Sequence, residues 1–441
     1  MNVKALILPL FTTMTLVACT NNPKQNEVKR ISGPMIGHTT MRSTHVWIQT
    51  DQKAEVFVEC ISTDGKVYTS KAVSTNEDEA YTATIEVGGL EPGTSYTAVV
   101  KSGEEVLTDE FEINTQVLWD YRIDPPKFSI LAGSCVFIND SIYDRPGKPY
   151  GGEYDIFETM SNEDASMMLW LGDNTYLREV DYQSYSGYLY RYSHTRRTPE
   201  MQNLLKAMPN YAILDDHDYG PNDADASWIH GDWARQAFES FWSNPSYGAP
   251  VGADNLGTAF RYNDVEFFLL DNRSHRVHHY NETRNIQVLG EDQIDWLISA
   301  MNKSYAPFKV VALGGQFLSD VAKHENMARF PEREAIISRI EEERIHGVVF
   351  LTGDRHCTEL SKLELDHGVV IHDLTVSPLT SSSYDNSKEN NSNRVEGTVV
   401  AERNYAELTF SGPRKDRAMN IEIKNKVGKT VWSRILNAKD L

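Results

Sequence analysis

Short apolar–polar alternation dominates the first part of the chain. Between residues 34 and 116, apolar and polar side chains alternate with a period of two in segments such as "HVWIQT", "AEVFVECI" and "YTATIEV". This period is typical of β-strands with one buried face, and the Gly, Asp, Asn and Pro residues between the segments are typical of turns. No helical pattern interrupts the segments. The pattern therefore predicts a β-sandwich domain over residues 34–116.

A different pattern begins at residue 117 and continues to residue 441. Apolar runs with the length of buried strands alternate with amphipathic patterns that are typical of helices. The runs are residues 128–133, 167–172, 210–214, 265–271, 308–315 and 347–353, and the helical patterns are residues 232–242, 291–302 and 331–344. Strand patterns return after about residue 368. The alternation predicts an α/β (α+β) domain whose sheet is covered on both faces.

Two polar segments of this second domain have no regular period. Residues 181–199 are rich in Tyr and Arg, and they either line a substrate groove or form a helix that packs its rings into the core. Residues 381–394 consist largely of Ser, Asn and charged side chains. Because this composition buries little apolar surface, it predicts a mobile surface loop.

The first 19 residues look like a bacterial lipoprotein signal. The apolar run from Ala5 to Ala18 follows one lysine and is too short to span a bilayer, which takes about 20 residues. The run ends in "LVAC", in which Cys19 can receive a lipid, and residues 20–33 form a polar tether. The pattern predicts export and a lipid anchor on Cys19, at the outer membrane or facing the periplasm. A signal that is cleaved without lipid attachment is the alternative.

Charge and cysteine content narrow the function. The chain has 441 residues and a formal net charge of −20, which repels the phosphates of duplex nucleic acid. A small anionic substrate would need a local positive site, supplied by metal or arginine. Cys60, Cys135 and Cys357 match no zinc-binding spacing, and an odd number leaves at least one thiol unpaired. Cys60 ends an apolar strand pattern, which predicts a small core residue.

Polar side chains with metal-binding or anion-binding capacity follow each apolar run of the second domain. They are Ser134 and Cys135, Asp173 and Tyr176, Asp215 to Asp218 with Asn222, Asp271 and Arg273, Gln316, and Asp354 to Cys357. Ligand sites in open α/β sheets lie at the carboxyl ends of the strands. Each motif alone is compatible with a turn or a helix cap. Together they predict one shared metal site.

Three of these residues offer strong donors. Cys135, Tyr176 and His356 provide a thiolate, a phenolate and an imidazole, which are ligands of transition metals. Two strongly donating anions favour a high oxidation state. This part of the site is therefore predicted to hold Fe(III).

The remaining candidates offer oxygen. Asp216 or Asn222, together with Gln316 and Asp354, suit a hard cation, Ca²⁺ more readily than Zn²⁺. Asp173 belongs to both groups and could bridge two metals. Metals in such dinuclear sites lie about 3.5–4 Å apart.

Five motifs resemble those of the PhoD-like (alkaline phosphatase D) family of the calcineurin-like metallophosphoesterase superfamily. They are "GSC" at 133–135, "LGDNTY" at 171–176, "LDDHDYGPND" at 214–223, "LLDNRSHR" at 269–276 and "TGDRHCTEL" at 352–360. "GDNTY" is also similar to the Gly-Asp-x-x-Tyr element of purple acid phosphatases, whose Tyr binds ferric iron. The resemblance implies an N-terminal β-sandwich, here residues 34–116, and a four-layer α/β/β/α metallophosphatase domain, here residues 117–441.

The sandwich carries a resemblance of its own. "GLEPGTSYTAVV", residues 89–100, is similar to a turn and strand of fibronectin type III domains. In that arrangement Tyr96 lies at a corner and its hydroxyl is bonded to the backbone. The sandwich shows no cluster of titratable groups, so we interpret it as a packing or spacer module.

The family resemblance implies individual metal ligands. Those on the iron side are Cys135, Asp173, Tyr176 and His356, and those on the calcium side are Asp173, Asp354 and either Asp216 or Asn222. Asp216 stands where relatives have an Asn, and relatives outside the family have a His at the place of Gln316. Both departures leave the second metal open, so Zn²⁺, Mn²⁺ and Mg²⁺ are alternatives to Ca²⁺.

The implied reaction is hydrolysis of small phosphate monoesters or diesters by a metal-bound water, with two cations neutralising the phosphoryl oxygens. His217 is the candidate general acid. Arg178 and Arg355 are candidates for holding a phosphoryl oxygen, and for each a salt bridge to a carboxylate is the alternative. We expect a monomer.

Two other functions compete with this one. A glycosidase would use Asp215 and Asp216, but neighbouring residues of a strand point to opposite faces. A non-enzymatic surface lipoprotein could keep the same scaffold, but it would not need the Cys, Tyr, Asp and His set.

Overall fold

The computed structural model describes residues 27–278, 280, 285–322 and 326–441. The predicted signal, Cys19 and the first part of the tether lie outside the described residues, so the lipid anchor stays a prediction. Within the described part of the chain, no helix combines the length and hydrophobicity that crossing a bilayer requires.

The N-terminal part consists of two packed antiparallel sheets. Its strands are β1 Arg30–Thr39, β2 Ser43–Thr50, β3 Glu55–Ser62, β4 Val67–Thr69, β5 Val73–Ser74, β6 Thr82–Gly88, β7 Ser95–Ser102, β8 Glu105–Val106 and β9 Phe111–Asn114. One sheet has the order β1-β2-β6 and the other β4-β3-β7-β8, with β5 on β3 and β9 on β7. Alternating residues from both sheets share one apolar core.

Two sequence predictions for this region are confirmed. Cys60 is fully buried in the core between the sheets. The backbone N–H of Glu91 donates a hydrogen bond of 2.8 Å to the Tyr96 hydroxyl, which is the corner contact expected from the fibronectin-like segment.

The remaining elements form the second part of the molecule. They are β10 Phe128–Gly133, α1 Asp155–Ser161, β11 Met168–Leu171, α2 Tyr185–Arg196, α3 Pro199–Ala207, β12 Asn210–Ile213, α4 Asp216–Tyr219, α5 Gly231–Phe241, β13 Thr258–Tyr262, β14 Val265–Leu269, α6 Glu291–Lys303, β15 Phe308–Leu313, α7 Pro331–Glu342, β16 Val348–Thr352, β17 Glu359–Glu364, β18 Val370–Thr375, β19 Asn404–Ser411, β20 Ala418–Asn425 and β21 Thr430–Asn437.

Two six-stranded sheets pack face to face between layers of helices. Their orders are β12-β11-β10-β19-β20-β21 and β13-β14-β15-β16-β18-β17. One apolar core lies between the sheets, a second packs the helices α1, α2, α3 and α5 on the first sheet, and a third packs α6 and α7 on the second. The layers are therefore α/β/β/α. Each sheet has helices on one face only, because its other face is covered by the partner sheet.

The structure decides the reading of the Tyr-rich segment 181–199. This segment contains α2, and the rings of Tyr188 and Tyr192 are buried against α5 and the first sheet. It is therefore mainly a core helix. The turn that precedes α2 also approaches the functional region.

The segment 381–394 is not the detached loop that its composition suggests. The Asn386 side-chain amide donates to the Cys357 thiol at 2.9 Å, and Glu389 forms an ion pair with Arg355 at 2.6 Å. Arg394 pairs with the buried Glu359. These contacts tie the segment to the residues that follow β16.

Candidate metal centre

The strand ends place the candidate ligands at one edge of the paired sheets. β10, β11 and β12 are parallel to one another, as are β15 and β16, so their carboxyl ends meet. Cys135, Asp173, Asp215 and Asp354 each lie two residues beyond the end of a strand. The same local offset therefore brings four donors from four strands to one place.

Close approach of the two sheets depends on glycine. A Cβ atom on Gly314 would lie 2.5 Å from Cγ of Asp215 and 2.6 Å from Nδ2 of Asn272. A Cβ on Gly353 would lie 2.5 Å from the carbonyl oxygen of Leu171. Any larger residue at these positions would push the two strand edges apart.

The backbone is strained at the candidate ligands. Cys135, Asp173, Asp354 and His356 have φ angles of 62°, 50°, 66° and 51°, in the left-handed region that non-glycine residues avoid. Each such residue costs about 1–2 kcal/mol. Strain of this kind persists at functional sites, where the side-chain direction matters more than the backbone energy.

Four of the predicted ligands lie together, with Asp173 at the centre of the group. The Tyr176 hydroxyl lies 3.0 Å and the Cys135 thiol 3.5 Å from Oδ2 of Asp173. Nε2 of His356 lies 3.1 Å from the Tyr176 hydroxyl. Donor atoms of Cys135, Asp173 and His356 all lie within 4.8 Å of one another. The predicted ligands of the iron side therefore lie close enough together to bind one metal ion.

Two further donor sets extend from Asp173. One consists of Asp173, Asp216 and His217, and the other of Asp215, Asp216 and Asp354, again with donor atoms within 4.8 Å of one another. Asp173 joins the first two sets, and Asp216 joins the last two. The chain of overlapping sets provides room for more than one metal.

The argument that separated Asp215 from Asp216 is wrong. It assumed that both residues lie on an extended strand, but β12 ends at Ile213 and a helical turn begins at Asp216. The turn directs both carboxylates to the same region. Asp215 was named in the sequence only as one of the polar residues that follow a strand, and the structure makes it a candidate ligand.

The electrostatics of the cluster call for cations. Burial raises the pKa of Asp173 well above its usual value, and the nearby Cys135 and Asp216 raise it further. Burial likewise raises the pKa of the Cys135 thiol to about 12. Oδ1 of Asp216 is buried with no hydrogen-bond partner among the described residues. Buried anions of this kind need paired charge, so the donor set fits metal ions.

Supporting residues orient these donors. Nδ1 of His356 lies 2.7 Å from the carbonyl oxygen of Ser382, which directs Nε2 towards Tyr176 and Asp173. The Ser377 hydroxyl donates to the Cys135 thiol at 3.0 Å. Tyr150 lies 3.1 Å from Nδ1 of His356. Neither Ser377 nor Tyr150 was identified from the sequence, because neither directly follows one of the six apolar runs.

A second group of contacts holds the carboxylate side. Oδ1 of Asp215 accepts hydrogen bonds from Asn272 at 2.8 Å and from Nε of Arg273 at 2.6 Å. Arg273 is buried and paired with this carboxylate. It positions a candidate ligand.

His217 lies at the entrance to the cluster. Its ring packs on the ring of Tyr176, with centroids 4.2 Å apart, and it lines an open cavity of about 360 Å³. Burial lowers the pKa of His217, although the Asp216 carboxylate opposes that shift. Asn222, the alternative to Asp216 as a ligand, is exposed and lines the same cavity.

Both candidate phosphate-binding arginines form ion pairs. Nε of Arg178 donates to Asp144 at 2.7 Å, and Arg355 donates to Glu389 at 2.6 Å. Arg355 also donates to the side-chain oxygen of Gln316 at 3.0 Å, so that oxygen is engaged in a side-chain network. Arg178 still lines the open cavity. In this structure, the side chains of Arg355 and Gln316 bond to each other and support the site instead of facing the cavity.

The four-layer fold and the overlapping donor sets define a metal-binding protein of the metallophosphatase type. Residues 139–430, more than half of the chain, match the family described as PhoD-like phosphatase. The chain belongs to that family. Residues 28–115 match a separate family described as a domain of unknown function.

Individual relatives agree with this assignment. Alkaline phosphatase D of Bacillus subtilis (strain 168) is 24% identical over 335 residues, which cover 65% of this chain and 55% of that protein. The match thus spans little more than half the length of this curated relative. A solved structure of PhoD superposes with a TM-score of 0.73 at 19% identity, covering 91% of this chain and 88% of that one. A purple acid phosphatase from yellow lupin seeds gives 0.69 at 12% identity, covering 92% and 74%.

Proposed function

We propose that the chain is a metal-dependent phosphoesterase that hydrolyses small phosphate monoesters, diesters or both. The observation that carries the proposal is the meeting of Cys135, Asp173, Tyr176 and His356 beside a second, carboxylate-rich donor set. Membership of the PhoD-like phosphatase family supports the same reaction class.

The metals we propose are Fe(III) and Ca²⁺. A thiol, a phenol and an imidazole grouped beside Asp173 are the donors of a transition metal. The set formed by Asp215, Asp216 and Asp354 offers oxygen alone, which suits Ca²⁺. Asp173 lies between the two sets and is the proposed bridge.

The chain's own residues would divide the remaining work. When bound, the metals would lower the pKa of a water molecule and neutralise phosphoryl oxygens. His217 stands between the donor sets and the open cavity, where its ring can hold a proton for the departing oxygen. Tyr176 fixes one face of that ring, since the two rings pack at 4.2 Å.

Arg178 is the better placed of the two candidate arginines. Its guanidinium group lies 3.9 Å from the Phe137 ring centroid and its side chain lines the cavity. The pair with Asp144 holds the group at a fixed position, from which a donor can face a phosphoryl oxygen. We assign Arg355 the supporting role that its contacts with Glu389 and Gln316 indicate.

A cysteine comparison tests the proposal. Elemental analysis of the native protein should find iron, and 4-nitrophenyl phosphate or bis(4-nitrophenyl) phosphate should be hydrolysed. Cys135→Ala should lose iron and activity together, because it removes the thiol ligand. Cys60→Ala removes a thiol that is equally buried but lies in the sandwich core, and it should keep both. Full iron content and full activity in Cys135→Ala would contradict the mixed-metal site.

A further inference from the structure

The open cavity beside His217 has walls that the proposed chemistry does not require. Its volume is about 360 Å³, within the range of small-molecule sites. It is lined by Phe137, Asp144, Arg145, Pro146, Lys148, Pro149, Tyr150, Tyr176, Leu177, Arg178, Glu179, Tyr182, His217 and Asn222. We refer to this cavity as the aromatic pocket. It adjoins the metal centre through Tyr176 and His217.

Four aromatic rings form much of the lining of the aromatic pocket. Phe137 packs on Tyr150 with ring centroids 4.8 Å apart and on Tyr176 at 4.9 Å. Tyr182 also lines the pocket and is supported by an edge contact with Trp228, with ring centroids 6.1 Å apart. Rings that are braced by one another present flat apolar surfaces at fixed angles.

The pocket is held in shape by ion pairs. Arg178 pairs with Asp144 at 2.7 Å, and Arg145 pairs with Glu179 at 2.5 Å. Oδ2 of Asp144 also accepts a hydrogen bond of 2.7 Å from the backbone N–H of Asp140. These contacts join the segment 140–150 to the segment after Tyr176. The pair of Arg178 and Asp144 is largely buried and holds this wall in place, whereas the pair of Arg145 and Glu179 is exposed and contributes little.

We propose that the aromatic pocket binds the alcohol part of the ester and selects substrates in which that part carries a planar aromatic ring. This inference rests on the proposed phosphoesterase function. His217, the residue proposed to face the departing oxygen, lines the pocket, so the group attached to that oxygen must enter it. The preferred substrates are aryl phosphate esters.

The chemistry of the walls distinguishes a ring from other groups. A sugar needs several hydrogen-bonding partners, whereas Arg145 and Arg178 are already paired with carboxylates. A flat ring can stack on tyrosine faces and on guanidinium planes without replacing those pairs.

Tyr182 provides the test, because it lies in the pocket but outside the proposed catalytic and metal-binding groups. The full-chain holoenzyme should bind phenylphosphonate several-fold more tightly than methylphosphonate when both are titrated by calorimetry. Tyr182→Ala should reduce the preference for the aromatic compound by about three- to tenfold, the effect of one lost ring contact. Tyr182→Leu should give the same loss, because it keeps bulk but not planarity.

Hydrolysis gives an independent measurement. The ratio of kcat/KM for phenyl phosphate to kcat/KM for methyl phosphate should fall by the same factor in both variants. Because each variant is compared with the wild type on the same two esters, the different intrinsic reactivities of the esters cancel. Tyr305→Ala is the matched control, because Tyr305 is fully exposed next to the amino end of β15, away from the strand ends that carry the site. Its ratios should equal those of the wild type.

The possible failures are distinguishable. Equal binding of the two phosphonates, or an unchanged ratio in both Tyr182 variants, would overturn the aromatic preference while leaving phosphoesterase function in place. Absence of hydrolysis for every ester, together with absence of phosphonate binding, would overturn the proposed function and this inference with it.

Discussion

Two buried thiols show how differently the two parts of the molecule use the same side chain. Burial raises the pKa of Cys60 to about 11 and that of Cys135 to about 12. Cys60 is surrounded by the apolar core of the sandwich, whereas Cys135 contacts the Asp173 carboxylate and the Ser377 hydroxyl. The thiol in the sandwich fills space, and the thiol at the strand edge belongs to a group of donors.

The backbone shows the same contrast. In the sandwich, left-handed residues such as Ala80 and Tyr81 lie in a turn before a strand. At the metal centre, four left-handed residues directly contribute candidate donors: Cys135, Asp173, Asp354 and His356. Left-handed backbone therefore serves to reverse the chain in the sandwich and to direct ligand side chains at the metal centre. Departures of the second kind indicate a functional site.

Asp173→Asn should cause the largest loss of activity and should separate the metal centre from the sandwich most clearly. The substitution keeps the shape of the proposed bridge but removes its charge, so activity should fall by about a thousandfold, the upper end of what one electrostatic contact costs. Iron and calcium contents should fall with it. After chelation, the variant should melt no lower than chelated wild type, because Asp173 is a carboxylate whose burial beside Asp216 opposes ionisation.

Asp264→Asn is the matched control. Asp264 is also a buried carboxylate, but it pairs with Arg417 at 2.8 Å and lies just before β14, at the opposite end of the strand from the site. This variant should lose stability and keep its metals. A normal metal content in Asp173→Asn, measured by elemental analysis, would contradict the bridging role.

Gly314→Ala should have the next largest effect. The added Cβ would lie 2.5 Å from Cγ of Asp215 and would displace that carboxylate. Disturbing the surroundings that hold a metal ligand in place lowers metal affinity or activity by about 10–100-fold. Steady-state kinetics at several Ca²⁺ concentrations would measure the effect.

The control for this glycine comes from the sandwich. At Gly88, a Cβ would have no described atom within 4 Å, so Gly88→Ala should leave both activity and metal content unchanged. Equal tolerance of alanine at both positions would show that the close approach of the two sheets at Asp215 is not required.

The sequence was sufficient for the strands and for most donors, because both follow from local rules. The runs 128–133 and 347–353 were visible as apolar segments, and Cys135 and Asp354 stand two residues beyond the strands that these runs form. Resemblance to the family supplied the four-layer arrangement. Periodicity alone favoured one sheet with helices on both faces, because it cannot tell whether a strand faces a helix or another sheet.

What could not be predicted depends on contacts between distant segments. Tyr150 reaches His356 across 206 residues, and Glu389 reaches Arg355 from a segment whose composition resembles a mobile loop. No periodicity encodes such pairs. Asp215 was misjudged for a local reason, since the strand ends at Ile213 and a helical turn begins at Asp216, whereas both carboxylates were assumed to lie on an extended strand.

Tyr96→Phe should have the smallest effect and would sharpen the comparison from the side of the sandwich. The substitution removes the hydroxyl that accepts the Glu91 backbone N–H at 2.8 Å, so the free energy of unfolding should fall by about 1 kcal/mol. Urea unfolding followed by fluorescence would measure the loss, with exposed Tyr305→Phe as the unaffected control.

Activity and metal content should not change, because the corner contact and the metal centre share no residue. A loss of activity larger than the loss of folded protein would show instead that the sandwich transmits strain to the catalytic edge, for which the hydrogen bond from Trp47 to the carbonyl oxygen of Ser240, at 2.8 Å, provides a physical connection.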